Sequence, residues 1–469
     1  MTEPTSASFA TLFDVAIIGG GIVGCAAFRE FALAGARTIL LERDADLING
    51  ASKGNSALLH TGFDAPPGSI EAACVRDGYR RYRMIRERLN LPMETVGAVV
   101  VAWTPEQLGR LPSVRSQAHE NEVSDVRILS RDEVLAREPG LASGVMGGVL
   151  VPGEAVIDPW SAPLAYALQG LANGATLWRG AEVVSGAIEH GVWRLDTTTG
   201  FVRARVAINC AGNYGDLVEA IARESPFRVR PRKGQFVVFD KSAHALARTI
   251  ILPVPSERTK GVVISRTVFG NLIVGPTAED QDERRIATVE EATLRQLIEE
   301  GRRILPGLAG HSVTAVYAGL RPATQFKDYQ IEALRDRNWI SASGIRSTGL
   351  TACLGVAARL VELYAEHFGD LAPLPDPVWT PAPNLAEDGP RPYREPGRTE
   401  IVCHCESVTR REIEAAFAPP LPVATLGGLK RRTRCMMGRC QGFYCSRRVA
   451  ELAAGRIAGL PTPSPEGLQ

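Results

Sequence analysis

The sequence predicts an α/β protein in which a parallel sheet is interrupted by an inserted antiparallel sheet and followed by a small, mainly helical C-terminal unit. Three observations predict this class. A strand, a helix and a strand follow one another over residues 13–42, strand-like runs with few helical signals fill 229–275, and the composition changes sharply beyond 371. The chain of 469 residues is long enough for three domains of about 150 residues each.

The first element of the fold is a βαβ unit with short connections. The apolar run FDVAII at 13–18 predicts a buried strand, GGGIVG follows it at once, and the amphipathic stretch up to Ala34 predicts a helix. The next strand is RTILLE at 37–42. Residues 43–68 are rich in Gly, Ser, Asn and Asp, which is typical of a long functional loop.

Short strands and helices then alternate towards the C-terminal unit. Residues 69–89 predict a helix, because apolar side chains recur on one stripe, and 229–275 predict an antiparallel sheet. Further helices are predicted at 288–304 and from about 350 to 367. The remaining strands are predicted at 96–102, 126–129, 147–151, 182–188, 192–196, 205–209, 313–318 and 338–341.

Proline content marks a linker before the C-terminal unit. Eight prolines lie between Pro373 and Pro396, without hydrophobic periodicity. Such a stretch is typical of an extended, semi-rigid connection. The compact segment that follows holds five of the nine cysteines of the chain, all between 403 and 445.

The balance of charge and hydrophobicity excludes several classes of protein. The formal net charge is +1, so no overall field attracts nucleic acid, and a composition of 45% hydrophobic and 22% charged residues excludes a disordered chain. The longest strongly apolar stretch, 96–103, is too short to span a bilayer. The sequence is therefore compatible with peripheral association with a membrane but predicts no transmembrane segment. The N-terminus lacks the features of a secretion signal, so we expect a cytoplasmic location.

A glycine-rich turn connects the first strand to the first helix. Gly19, Gly21 and Gly24 have the G-x-G-x-x-G spacing, which permits a tight turn, close approach of a pyrophosphate and close helix packing. Glu42, 18 positions beyond Gly24, can accept hydrogen bonds from ribose hydroxyls. The turn itself fits NAD or FAD. The chain has no second such motif for a nicotinamide cofactor, and Cys25 stands alone rather than in the C-x4-C pair of disulfide reductases.

The clustered cysteines indicate a metal centre. Cys403 and Cys405 form a C-x-C pair, and Cys440 and Cys445 form a C-x4-C pair, so together they supply four thiolates. Soft thiolates select iron–sulfur clusters, zinc or Cu(I). Zinc is the main alternative, although its usual clip is C-x2-C. The spacing leaves the ligand set open, because Cys435 lies five residues before Cys440, as Cys440 lies before Cys445.

Five ordered motifs give residues 13–367 a resemblance to a known family. They are DVAIIGGGIVGCA, SKGNSALLHTGFDAPPGSIEA, VAINCAGNYGD, AGLRPATQFKDYQIEA and SASGIRSTGLTA. Together they resemble the FAD-dependent oxidoreductases of the D-amino-acid-oxidase superfamily, and most closely its glycerol-3-phosphate dehydrogenase and L-2-hydroxyglutarate dehydrogenase branch. The resemblance implies a Rossmann-like FAD-binding domain assembled from separated segments, with an antiparallel substrate-binding domain inserted.

The same resemblance implies contacts between individual residues and FAD. The glycine turn and Glu42 would hold the ADP half, and the loop at 52–60 would run beside the flavin ring. The turn at 344–351 would direct helix N-terminal N–H groups at negative charge on the reduced flavin. The residues expected to contact FAD are Gly19, Gly21, Gly24, Glu42, Ser52, Asn55, Ser56, Val183, Ala211, Gly212, Gly344, Ser347, Gly349, Leu350 and Thr351.

A second resemblance covers the C-terminal segment. VCHCESVTRREIEAA and RRTRCMMGRCQGFYC resemble [2Fe–2S] domains of the bacterioferritin-associated-ferredoxin type. The resemblance implies a cluster on Cys403, Cys405, Cys440 and Cys445, because the family pattern has a different residue at the Cys435 position. Seven basic and no acidic residues lie from 430 to 448, and we expect their charge to stabilise the reduced cluster rather than to bind nucleic acid.

Both resemblances together predict the domain limits. The FAD-binding domain comprises 10–90, 145–225 and 310–370, the substrate-binding or cap domain comprises 91–144 and 226–309, the proline-rich linker is 371–398, and the [2Fe–2S] domain is 399–469.

Cationic residues of the two larger domains point to a small anionic substrate. Arg321 and Arg346 match positions that line the active site in the family, and an arginine fork suits a carboxylate or phosphate. Arg232 and Lys233 lie at the entry to the inserted sheet and are weaker candidates. Lys327 is expected to be an ordinary surface cation.

His60 is the leading candidate for a general base, because a neutral imidazole can take a hydroxyl proton near neutral pH. The alternative is that His60 only forms a hydrogen bond to the flavin ring or the backbone. With Arg321 and Arg346 it completes the predicted catalytic set.

A flavin followed by a one-electron centre indicates a dehydrogenase, because an oxidase that reduces oxygen does not need the second centre. The family resemblance favours oxidation of sn-glycerol 3-phosphate to dihydroxyacetone phosphate. Alternatives are a dehydrogenase of a 2-hydroxy acid, a polyol phosphate or an amino acid, an electron-transfer partner protein, and an oxidase with structural zinc. The expected electron acceptor is a quinone, a partner subunit or a soluble carrier.

Overall fold

The structure is a computed structural model that describes residues 11–255, 261–397 and 400–460. The predicted boundary at 398/399 and the end of the predicted C-terminal domain, 461–469, lie outside the described residues. Helices and strands are given in three groups along the chain. The first group is β1 (Leu12–Ile18), α1 (Ile22–Leu33), β2 (Thr38–Glu42), β3 (Leu58–Leu59), α2 (Ile70–Ile85), β4 (Met93–Glu94), β5 (Ala98–Ala102), α3 (Pro105–Glu120), β6 (Arg127–Ser130), α4 (Arg131–Arg137), β7 (Gly147–Val151), β8 (Ala155–Ile157) and α5 (Ser161–Ala172). The second group is β9 (Thr176–Arg179), β10 (Val183–Glu189), β11 (Val192–Thr197), β12 (Gly200–Asn209), α6 (Gly215–Glu219), β13 (Arg232–Phe239), β14 (Ile250–Pro253), β15 (Val263–Arg266), β16 (Leu272–Gly275), β17 (Glu279–Asp280), α7 (Glu291–Ile304), β18 (Val313–Arg321), β19 (Gln330–Leu334), β20 (Trp339–Ser343) and α8 (Gly349–Phe368). The third group is β21 (Ile401–Cys403), β22 (Val408–Thr409), α9 (Arg410–Ala415), α10 (Leu426–Thr433) and α11 (Ser446–Ala453).

The first sheet has a parallel core in the order β9, β2, β1, β12, β20. The antiparallel strands β10 and β11 extend it beside the first half of β12, and β19 pairs with β20. Its strands are apolar and buried because helices cover the sheet, as parallel sheets require. Helix α8 packs on α1 and α2, so the N-terminal and C-terminal parts of this domain form one core.

The second sheet confirms the predicted antiparallel insertion. Its order is β17, β13, β16, β15, β14, β5, β7, β6, with β18 on the other edge of β13, and only the β14–β5 pair of these strands is parallel. The predicted domain limits assign 147–151 and 313–321 to the first domain, whereas the structure pairs both segments, as β7 and β18, within the second sheet. A small third sheet of β3, β8 and β4 lies between the two.

The C-terminal unit has its own small core. The β21–β22 hairpin leads into α9, which begins with a capping box in which Thr409 and Glu412 satisfy each other's backbone N–H groups. Buried apolar residues of the hairpin and the three helices pack around the cysteines. The predicted fold class, including this mainly helical unit, is confirmed.

The proline-rich segment lies along the surface of the other domains. Leu374 N donates to Leu33 O, Ala382 N to Leu89 O, and Glu387 N to Val268 O. The segment therefore contacts both larger domains before it reaches the C-terminal unit. None of the described helices is long and apolar enough to cross a membrane.

Candidate functional site

A cavity of about 880 Å³ lies where the first sheet, the second sheet and the loop after β2 meet. Its wall comprises the glycine turn after β1, residues 49–56, the ends of β13 and β18, and the turn before α8. A volume of this order suits a large cofactor with room for a small molecule, since ligand sites span roughly 300–1,000 Å³. Most of the residues predicted to contact FAD line this cavity, namely Gly19, Gly21, Glu42, Ser52, Asn55, Ser56, Val183, Ala211, Gly212, Gly344, Ser347, Gly349 and Leu350.

The glycine turn fits the pyrophosphate of a dinucleotide. Gly19 has φ +110°, which favours glycine, and a Cβ there would lie 2.6 Å from the Cys210 carbonyl oxygen. Gly24 lies behind the wall, where a Cβ would approach the Gly19 carbonyl oxygen to 1.8 Å. The N-terminus of α1 has Gly21 as its cap and therefore no capping side chain of its own. Ser52 instead accepts a hydrogen bond from Ile22 N at 3.0 Å.

Glu42 is held in place by two backbone donors at the carboxyl end of β2. Its Oε2 accepts from Gly20 N at 2.6 Å and its Oε1 from Asp44 N at 2.8 Å. Burial raises the pKa of Glu42, and these two donors oppose the rise. The carboxylate is thus oriented at the cavity wall, where the sequence predicts a contact to ribose hydroxyls.

The turn before α8 presents to the cavity a helix end whose N-cap side chain does not cap it. Gly344 has φ +71°, and the side chain of the N-cap residue Thr348 does not cap the helix. Thr348 Oγ1 instead donates to Glu71 Oε1 at 2.7 Å and lies 2.5 Å from the Tyr329 hydroxyl. The first backbone N–H groups of α8 are therefore available to a ligand with partial negative charge.

His60 lines the cavity directly after β3. Its backbone N donates to Thr351 Oγ1 at 3.0 Å, so Thr351 lies behind the wall as a support rather than in it. Its ring Nδ1 lies 2.8 Å from Glu154 Oε2. Sequence reasoning missed Glu154, because it is 94 positions away and belongs to no motif.

The predicted cations divide between the cavity wall and other contacts. Arg321, Arg346, Arg232 and Lys327 all line the cavity, so Lys327 is both exposed and part of its wall. Lys233 is turned away from it, because its Nζ donates to Glu290 at 2.5 Å and lies 3.1 Å from Glu279. The interpretation of Lys233 as a substrate-binding candidate is therefore not supported by its contacts.

Arg321 is fixed in orientation by backbone carbonyls. Its Nη2 donates to Thr277 O at 2.6 Å and to Lys233 O at 3.2 Å, and its Nε donates to Arg232 O at 3.2 Å. Burial and the neighbouring Arg232 lower its pKa to about 10, so it remains charged at neutral pH. A guanidinium held in this way can meet an anion without first losing side-chain freedom.

The four predicted cluster ligands meet as two pairs. Cys405 lies next to Cys440 and Cys403 lies next to Cys445, so that the thiols of each pair influence each other's ionisation. The described residues contain no group of three or more His, Cys, Asp or Glu side chains arranged to hold a single metal ion. Four cysteines that meet as two pairs fit a [2Fe–2S] cluster, which four cysteine thiolates would hold.

Backbone N–H groups and burial shift the pKa values of these thiols in opposite directions. The neighbouring backbone N–H groups of Tyr444, Gly442 and Phe443 lower the pKa of the Cys440 thiol, whereas burial raises the pKa of the Cys405 thiol and raises that of the Cys445 thiol to about 12. Cys435 lies in the apolar core of the unit together with Cys403 and Cys445, and burial raises the pKa of its thiol to about 11. Cys440 therefore has the surroundings that best suit an anionic cluster, and the choice of Cys445 over Cys435 stays a prediction.

Four of the seven basic residues at 430–448 form ion pairs with acidic side chains. Arg434 pairs with the buried Glu406 at 2.9 Å, and Arg439 pairs with Asp240 at 2.6 Å. Glu400 and Glu451 neutralise most of the charge at the start of α11, where their partners are Arg447 and Arg448. The sequence pattern could not reveal this, because all of these acidic partners lie outside the run.

The C-terminal unit is docked against both larger domains. Asp46 accepts hydrogen bonds from Ala424 N at 3.0 Å and from Thr425 Oγ1 at 2.6 Å. The guanidinium of Arg434 lies 3.8 Å from the ring centre of Phe269, which stacks on Trp160 with centres 5.8 Å apart. Trp160 Nε1 donates to the carbonyl of Lys53 in the cavity wall, so one contact chain joins the cysteine loop to the cavity.

Comparison with known proteins identifies both parts of the chain. Residues 14–363 match the family model described as FAD dependent oxidoreductase (DAO), and 401–454 match the BFD-like [2Fe-2S] binding domain. A glycerol 3-phosphate dehydrogenase of Caloramator mitchellensis is 30% identical over 454 residues, which is 95% of each chain. One subunit of the anaerobic glycerol-3-phosphate dehydrogenase of Escherichia coli K12 is 26% identical over 94% of this chain and 87% of its own.

A solved structure supports the same assignment of the fold. Dithionite-reduced L-α-glycerophosphate oxidase from Mycoplasma pneumoniae, with FAD bound, superimposes with a TM-score of 0.73 at 26% identity. The match covers 78% of this chain and 97% of the oxidase, so the oxidase has no counterpart for much of the remaining fifth of this chain.

Proposed function

Because the chain belongs to the DAO family of FAD-dependent oxidoreductases and has a BFD-like [2Fe-2S] binding domain, we propose that it is a dehydrogenase of sn-glycerol 3-phosphate. Dihydroxyacetone phosphate is the proposed product, and a cluster held by the C-terminal domain would let the electrons leave singly. When bound, FAD supplies a hydride acceptor and the [2Fe-2S] cluster a one-electron carrier.

The observation that carries the proposal is that three side chains of suitable chemistry line the cavity predicted to hold FAD. His60, Arg321 and Arg346 line the same cavity as the glycine turn and the turn before α8. We propose that Arg321 and Arg346 bind the phosphate of the substrate, because charged guanidinium donors match its oxygens, with Arg321 using Nη1 since its Nε and Nη2 donate to backbone carbonyls. His60 then takes the proton of the substrate hydroxyl as general base. The relative of C. mitchellensis, named for this activity and similar over both domains, supports the choice of substrate.

The proposed electron exit rests on the docked C-terminal domain. Arg434, Phe269 and Trp160 form a packed contact chain between the cysteine loop and the cavity wall. Such docking favours transfer within the chain, followed by transfer to a quinone, a partner subunit or a soluble carrier. We propose that the reaction takes place in the cytoplasm.

An anaerobic substrate screen tests the proposal. Holoprotein carrying FAD and iron is mixed with sn-glycerol 3-phosphate, L-2-hydroxyglutarate, other polyol phosphates and amino acids, while flavin absorbance and the paramagnetic signal of a reduced cluster are recorded. We expect sn-glycerol 3-phosphate to bleach the flavin fastest, and the cluster signal to accompany or follow bleaching. Faster bleaching by a hydroxy acid or an amino acid would refute the proposed substrate. A second experiment is carried out in air. Release of peroxide without a cluster signal would refute the proposal that the protein is a dehydrogenase rather than an oxidase.

A further inference from the structure

The small sheet of β3 and β8 brings two titratable residues face to face. Leu58 pairs with Val156 and Leu59 pairs with Ala155 in antiparallel register. Continuing that register by one residue sets His60, after β3, opposite Glu154, before β8. The backbone of Glu154 is also fixed, because Gly97 N donates to its carbonyl at 2.9 Å.

The Glu154 side chain is fully buried and accepts hydrogen bonds on both oxygens. Oε1 accepts from Thr61 N at 2.6 Å and from Thr61 Oγ1 at 2.8 Å, and Oε2 lies 2.8 Å from His60 Nδ1. An ionised carboxylate is an acceptor only, so its partner nitrogen must carry the proton. The arrangement therefore selects the neutral tautomer of His60 with Nδ1–H and with the lone pair on Nε2.

We propose that Glu154 is the positioning residue that makes His60 a base at Nε2. The inference rests on the proposed function, in which His60 takes the substrate proton. In the proposed step the substrate O–H bond breaks and an Nε2–H bond forms, while Glu154 keeps its negative charge beside the new imidazolium. The buried carboxylate also stabilises that imidazolium, since an opposite charge within 4–6 Å favours the charged form.

Other ionisable groups surround the pair but do not replace this contact. Tyr79 of α2 lies near Glu154, with Arg83 of α2 and Asp125 before β6 close to Tyr79, and Asp64 and Arg346 belong to the cavity wall. These groups are the same in every variant compared below, so a change in the pH profile reports on Glu154.

The first measurement reads the tautomer directly. ¹⁵N-histidine NMR of the holoprotein, with the His60 signals assigned by their loss in His60→Asn, shows which ring nitrogen carries the proton. We expect Nδ1–H in the wild type and Nε2–H in Glu154→Gln, because the amide can donate to Nδ1. The inference would be overturned if His60 carried its proton on Nε2 in the wild type. It would also be overturned if Glu154→Gln kept the same tautomer as the wild type. If Glu154→Gln does not fold, Glu154→Asp replaces it, because aspartate keeps the negative charge. We expect His60 to keep the proton on Nδ1 in Glu154→Asp, and a proton on Nε2 in that variant would contradict the inference.

The second measurement is the pH profile of anaerobic flavin reduction. We expect Glu154→Gln to lower the rate on the order of 10²-fold, the lower end of general-base contributions, and to move the acid limb of the profile, where His60 becomes protonated, to lower pH by about one unit. Glu138→Gln is the matched control, because Glu138 is an equally buried carboxylate whose partners are the backbone N–H groups of Arg248 and Thr249. Equal profiles for the two variants would overturn the inference. A wild type with the Nδ1–H tautomer but no reduction by sn-glycerol 3-phosphate would refute the proposed substrate alone.

Discussion

Asp46→Ala should release the C-terminal unit from its docked position. The buried carboxylate of Asp46 accepts from Ala424 N and Thr425 Oγ1 across the domain contact, and Arg179 Nη1 donates to it at 3.2 Å while also donating to Pro422 O at 2.8 Å. Arg179 belongs to the same domain as Asp46, so the docking contact loses the hydrogen bonds from Ala424 N and Thr425 Oγ1, each worth about 1.5–3 kcal/mol to a charged group. The ratio of docked to undocked molecules should therefore fall by roughly 10²–10⁴-fold, since each 1.4 kcal/mol is a factor of ten.

Two assays read this change in Asp46→Ala. Limited proteolysis should cut the 371–398 segment faster, because its contacts to both domains would open more often. After anaerobic addition of substrate, flavin bleaching should keep its rate while the cluster signal appears more slowly. Asp14→Ala is the control, because Asp14 forms an exposed pair with Arg205 and its loss should cost less than about 1 kcal/mol. Identical proteolysis and cluster reduction in both variants would refute the reasoning.

Three further perturbations test the two sites and the segment between them. Arg321→Gln should raise KM for the substrate by about 10- to 150-fold, which is the equivalent of about 1.5–3 kcal/mol for hydrogen bonds to a charged group. The control Arg302→Gln changes an exposed arginine and should leave KM unchanged. Equal KM values for the two variants would contradict the proposed role of Arg321. Cys440→Ser should abolish the cluster signal and leave flavin bleaching intact, and a persistent signal would exclude Cys440 as a ligand. Burial and the nearby Asp388 raise the pKa of Glu94 from 4.5 to about 7, so the folded state binds this proton more tightly than the unfolded state. Glu94 should therefore lower the melting temperature as the pH rises from about 4.5 to about 7, and a Glu94→Gln variant with the same pH slope as the wild type would contradict this.

Local patterns in the sequence predict the elements whose stability is local. The βαβ unit, the glycine turn and the last large helix lie within a residue or two of their predicted limits, because apolar periodicity and turn residues act over a few positions. The pairing of β7 and β18 with the second sheet was not predicted, because it depends on contacts between segments far apart in the chain.

The sequence by itself determined the fold class and the chemical types of the candidate site residues. The spacings of the glycine turn and of the cysteine pairs left NAD or FAD, and iron–sulfur, zinc or Cu(I), open, and the resemblance of longer motifs to known families implied FAD and [2Fe-2S]. The tertiary structure alone decided that Glu154 faces His60, that Lys233 turns to Glu279 and Glu290, and that Arg434 is neutralised by Glu406. The physical reason is that strand register and domain docking set these distances, and both depend on contacts between residues separated by tens or hundreds of positions.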